Sequence, residues 1–333
     1  MSNTKWIVVL AASLVLGVLM VGLFGAPLSA QQRPKLLEAC KAGGDEVSAR
    51  DLPSRIEPGQ CPTEKVITDG GVGSALPEPG ESVYVEALTT TGSQELQISH
   101  FKDGTIEFNH VGGDSEEADS AEAQISLAAK GPNECRDRAH TNLSYRVESG
   151  FRYYINLGSK PPELTRTATK RAIVSGGTNI TRTRNKCGMG DRVPVGTSYA
   201  GRTGLSADVS STGRCRGVDR RNVVSFGSLP KGTLAVTCTY SANSPGYDKV
   251  VTSDMKINKT RANWTTNPGS RSCKRKFDLE SVVTHERGHT FGLGHVSESK
   301  HGNLTMSTRI NGPCQASERT LGRGDVLGLD RKY

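Results

Sequence analysis

Between Ser82 and Val111 the chain alternates apolar and polar residues. "SVYVEAL", "ELQISHF" and "TIEFNHV" each repeat with period two, the pattern of strands with one buried face. Asp103-Gly104 stands between the last two and predicts a hairpin turn. "FRYYINL", "NVVSFGSL", "GTLAVTCTY" and "VVTSDMKIN" predict further strands downstream. Helical spacing replaces this period in three places. In "PPELTRTATKRAIVSGG" Leu164, Ala168 and Ala172 recur at helical intervals, Pro161-Pro162 mark the start and Gly176-Gly177 the end. In "DLESVVTHERGHTFGLG" Asp278 is a good N-cap, and Leu279, Val282 and Val283 form an apolar face. "GDVLGLDRKY" predicts a short closing helix with Val326, Leu327 and Leu329 turned inward. Residues 31–80 hold no sustained period and are expected to be irregular. Strands with helices before and after them give an α+β class.

Length and charge divide this chain of 333 residues. "GGDSEEADSAEAQ" is an acidic, glycine-led run that reads as a linker over residues 112–134. It separates a small β-containing pre-domain, residues 31–111, from a second unit, residues 135–333. Residues 1–30 precede both. Lys5 is followed by an uncharged apolar run and small residues up to Ala30, the form of an export signal, with an uncleaved membrane anchor over residues 6–24 as the rival. Either places the remainder outside the cytoplasm, secreted or tethered. Eight cysteines, none in a CxxC pair, fit an oxidising compartment and argue against a cysteine zinc ribbon. Cys40 with Cys61 and Cys273 with Cys314 are the expected pairs. Cys135, Cys187, Cys215 and Cys238 are left to pair among themselves. The net charge of +8 is uneven: from Cys135 onward 33 Lys and Arg face 15 Asp and Glu. These basic residues are scattered and lack interleaved aromatics, so nucleic acid is not an expected partner. The imbalance suits solubility and attraction between the halves, and otherwise an anionic surface or polymer.

Four of the seven histidines fall between Thr284 and Met306. His285 and His289, four residues apart on the second helix, share one face, where two nitrogens reach one metal ion. Gly292 lets the chain turn out of the helix, and His295 returns as a third ligand. Three protein ligands and an open position describe a catalytic zinc rather than a structural one. Glu286, beside the first ligand, is placed to take a proton from a zinc-held water. Met306 can form an apolar floor beneath the ion. His301, His100, His110 and His140 lack partners at ligand spacing and read as surface or structural residues.

"HERGHTFGLGH" followed by "LTM" resembles the zinc site and Met-turn of the metzincin peptidases, and within them the matrixin-like branch. "GTLAVT", "SDMKINKTRANW" and "LGRGDVLGLDRKY" are similar to further matrixin stretches, so the likeness covers roughly Cys135 to Tyr333. It implies a twisted mixed sheet with an active-site helix and a C-terminal helix. It implies one catalytic Zn2+ on His285, His289 and His295, Glu286 as general base and Met306 as the Met-turn residue. It further implies that Asp254, Met255, Lys256 and Ile257 lie on an edge strand that receives an extended peptide. Ser307-Thr308-Arg309 replace the usual residues after the Met-turn, and Val236 stands where a structural-zinc histidine is usual. No calcium-loop pattern and no propeptide cysteine switch are present, so the likeness lends no support to calcium or a second zinc. The expectation is an exported zinc endopeptidase acting on proteins or peptides. The alternative is a catalytically inactive envelope protein that binds anionic polymers through its basic domain.

Overall fold

The computed structural model describes residues 46–58, 60, 66–109 and 131–333. The export segment, Cys40, Cys61, His110 and most of the acidic run lie outside them. The main sheet has ten strands. In chain order these are β1 (Arg55–Ile56), β2 (Glu81–Thr89), β3 (Ser93–His100), β4 (Ile106–Asn109), β5 (Tyr145–Arg146), β6 (Phe151–Ile155), β7 (Thr197–Arg202), β8 (Val223–Gly227), β9 (Thr233–Ala242) and β10 (Asp248–Asn258). Across the sheet they run β7-β6-β8-β10-β9-β2-β3-β4-β1, with β5 paired to β10. The β7-β6-β8-β10 block is parallel, and pairing is antiparallel from β10 onward to β1. Among the described residues the α-helices are α1 (Arg166–Thr181), α2 (Leu279–Thr290), the single turn α3 (Glu298–His301) and α4 (Arg323–Lys332).

Each face of this sheet is covered. Phe151, Tyr153 and Ile155 of β6 and Met255 and Ile257 of β10 pack with Ile173, Val282, Val283, Phe291, Met306 and Leu329 on the helical side. On the other side Val83, Val85, Ala87, Leu96 and Ile98 of the β2–β3 hairpin join Val236, Cys238 and Tyr240 of β9. A four-stranded sheet closes that side. Three of its strands, Glu46–Ser48, Val66–Asp69 and Val72–Ala75, are N-terminal, and the fourth is Arg214–Cys215. The expected pre-domain is therefore not a separate body: β2 is hydrogen-bonded to β9, and both sheets mix strands from before and after the acidic run. Residues 66–75 are regular rather than irregular. Their strands are only four residues long and turn at Gly70, whose φ of +57° favours glycine, so no period could register.

Helix α2 begins as expected, with the Asp278 carboxylate accepting from Ser281 N at 3.0 Å. Helix α1 does not. It starts after Thr165, which caps Ala168 N, and it continues through Gly176-Gly177 to Thr181. These glycines are contacts, not stops: a Cβ on Gly176 would lie 2.6 Å from Val283 Cγ1 and 3.0 Å from Thr284 N on α2. Disulfides join Cys273 to Cys314, as expected, and Cys135 to Cys187 and Cys215 to Cys238.

One expectation fails on topology. Asp254, Met255, Lys256 and Ile257 lie on β10, which is paired on both sides, to β8 and to β9. Met255 and Ile257 are core residues, and Asp254 accepts from Val223 N at 2.9 Å. Lys256 donates through Nζ to Val209 O. Without the N-terminal strands the sheet edge on this side would be β9, one strand further out.

Candidate metal centre

The three histidines converge. Helix α2 carries His285 and His289 one turn apart. The chain then leaves the helix at Gly292, with φ +85°, where a Cβ would strike Tyr145 O and the Lys332 stem. That turn returns His295 to the same point. The Nε2 atoms lie 2.9 Å (His285 to His295), 3.1 Å (His289 to His285) and 3.1 Å (His289 to His295) apart. Each Nδ1 faces an acceptor: Thr305 O at 2.7 Å for His285, Leu293 O at 2.9 Å for His289, and the Glu95 carboxylate for His295. A ring that donates from Nδ1 turns an Nε2 lone pair inward. Three inward lone pairs at this separation repel one another unless a cation sits among them. Tetrahedral zinc with Zn–N bonds of the usual length spaces its nitrogens by roughly 3.3 Å, so the rings fit that ion. Burial holds His285 down to about 3 and His289 well below the usual imidazole range, which keeps both neutral and available as ligands.

Around the rings stand carboxyl groups. Glu286 is fully buried, and its Oε2 accepts from Thr237 of β9 at 2.5 Å. Burial raises it to about 7, the range of a group that takes and returns a proton near neutrality. Glu86 of β2 is also fully buried and completes a four-residue group with His285, His289 and His295 that could hold a metal ion. Its Oε1 is 4.0 Å from His295 Nε2, and its carboxyl lies within hydrogen-bond reach of the Glu286 carboxyl, with no N–H or hydroxyl donor on either oxygen. Burial first, then the charge of Glu286, pushes it well above the carboxylate range. Tyr84 donates to Glu95 at 2.7 Å, and Ser93 Oγ lies 3.2 Å from His295 Nδ1.

Below the rings Met306 is buried against Gly288, where a side chain on the helix would meet its sulfur. Asp325 of α4 fixes this turn. Its carboxylate accepts from Thr305 N at 2.9 Å, Met306 N at 3.2 Å and Gly322 N at 2.8 Å.

Residues 231–333 match the matrixin peptidase family. The matrixin segment takes in β9, β10, α2, all three histidines, Met306 and α4. No curated protein matches the chain. The other described histidines stay apart from the centre. His301 bonds Asp137 at 2.8 Å, His100 faces Pro77 O and His140 faces Arg138 O. Sequence reasoning missed Glu86, Glu95, Tyr84 and Ser93, which come from the hairpin, and Thr237 and Asp325 within the matrixin segment. A glutamate on the polar side of an alternating strand gives the same signal as a solvated one.

Proposed function

We propose that the chain is an exported zinc endopeptidase of the matrixin type, with His285, His289 and His295 as metal ligands and Glu286 as general base. The observation that carries the reading is the inward convergence of three Nε2 lone pairs beside a buried carboxyl poised near neutrality. Bound zinc would supply an acidified water and a Lewis acid for the scissile carbonyl. Glu286 takes the proton of the attacking water and delivers it to the departing amine, so that one water and one peptide bond become a carboxylic acid and an amine. Thr237 holds the Glu286 carboxyl on the side of β9. Met306 and Asp325 fix the floor on which His285 stands. The disulfides fit a secreted or membrane-tethered protein.

The test is cleavage of a denatured protein by the full chain, before and after limited proteolysis, with and without a zinc chelator. Glu286→Ala is expected to abolish turnover and to retain the metal. Cleavage that survives the chelator, or that survives Glu286→Ala, sinks the reading.

A second reading, affinity for anionic polymers, is favoured by one feature. A cleft of about 750 Å³ is lined by Arg152, Arg202, Arg220, Arg221 and Lys249 against one acid, Glu148. Retention on a sulfated-polymer column should weaken in Arg220→Glu and Arg221→Glu chains. Equal retention of wild type and variants removes this reading.

A further inference from the structure

Strand β9 passes directly over the metal centre, and Thr237 in its middle donates to Glu286. A peptide presenting a carbonyl to that centre would lie in the next lane, along the side of β9 that faces away from β10. In this structure the lane is filled by the chain itself. Strand β2 pairs antiparallel with β9 from Thr89 opposite Thr233 to Glu81 opposite Ala242. The residue opposite Thr237 is Glu86. Period two then turns Tyr84, Glu86 and Leu88 toward the helices and Val83, Val85 and Ala87 away from them. The second strand of the hairpin adds to the same arrangement, because Glu95 lies opposite Glu86 and contacts His295.

Glu86 is unusual among these residues. It is fully buried, and the group within hydrogen-bond reach of its oxygens is another carboxyl, that of Glu286. Two buried carboxyls that face each other share a proton unless a cation compensates both charges. Three histidine lone pairs are its neighbours, and all four ligand atoms lie within 4.8 Å of one another. Three nitrogens and one carboxylate oxygen form a complete tetrahedral set, the closed type rather than the open one.

We infer that Glu86 is the fourth metal ligand and that the β2–β3 hairpin occupies the peptide lane, so that the chain in this form occludes its own centre. The meaning of the lane rests on the peptidase reading, whereas the ligand assignment does not. Both of the functions that an open centre needs, a free coordination position and a free strand edge, are taken by one nine-residue strand.

The test uses the full chain loaded with Co2+ in place of zinc, with acetohydroxamate as a small chelating probe and visible absorption as the readout. The wild-type spectrum is expected to stay unchanged as the probe is added. The isosteric Glu86→Gln chain and the Glu86→Ala chain should bind the probe with a shifted spectrum. They should also lose zinc to a competing chelator roughly tenfold or more readily. A wild-type chain that takes up the probe as readily as the variants overturns the proposal, whether or not it cleaves peptides. Should neither variant fold, the wild-type titration decides alone: refusal of the probe supports the assignment and uptake overturns it. Variants that accept the probe yet cleave nothing, even after limited proteolysis, count against the peptidase reading and leave the ligand assignment standing.

Discussion

Burial pushes the Asp254 carboxyl up to about 8, despite the N–H donated by Val223 and the nearby charge of Arg287. Asp208 and Asp219 face it and add to the rise. Its folded value lies above its unfolded value of about 4, so the folded state keeps a proton that the unfolded state has released. The contribution is fully present below about pH 4 and is lost as pH rises through about 8. Asp254→Asn, which imitates the protonated form, should therefore match wild type in urea unfolding near pH 4 and exceed it at pH 8. A constant difference between the two pH values would contradict this assignment. Glu95 contacts His295 at Nδ1. Glu95→Gln keeps its shape and weakens the acceptor, so metal affinity should fall about 10–100-fold in competition with a chromophoric chelator. The histidine ring was legible in the sequence because its geometry is local: four residues of helix, then one glycine turn. Glu86 and Glu95 were not. Their role depends on pairing with residues about 150 and 200 positions away, and nothing within their own strands records that distance.

At the scale of elements, the sequence period found β2, β3, β6, β8, β9, β10 and all three longer helices. It misplaced the end of α1 because glycine carries two meanings. Gly176 reads as a stop from its propensity, but in the fold it admits the Val283 side chain between two helices. Gly176→Ala gains up to about 1 kcal/mol of helix propensity. It should still destabilise the chain, because opening the α1–α2 contact costs about 1–3 kcal/mol. A denaturant midpoint that rises in this variant would show that the helices can part freely. Helix α4 is tied to the Met-turn by Asp325, whose carboxylate collects three N–H groups. Asp325→Ala leaves all three buried without a partner, and unfolding free energy should drop by roughly 3 kcal/mol or more. The edge-strand error has a similar origin. Apolar alternation in "VVTSDMKIN" identifies a strand but not its neighbours, and only the sheet order shows that β10 is flanked by β8 and β9.

At the scale of the molecule, the composition shift at the acidic run suggested two bodies where the chain builds shared sheets. Arg214 illustrates how they join, pairing with Glu46 at 3.2 Å across that supposed boundary. This pair joins one acid of the N-terminal part to one base of the basic part, while the Arg-lined cleft remains on the surface. Among the described residues each disulfide lies within the part after the acidic run, and none ties residues 46–109 to it. What holds the hairpin in place there is strand pairing and side-chain contact. A single cut between residues 109 and 131 would therefore turn an intramolecular clamp into a bimolecular complex, governed by mass action. On the peptidase reading, such a nicked protein should become more active on dilution and quieter when concentrated, with its own released fragment as the inhibitor.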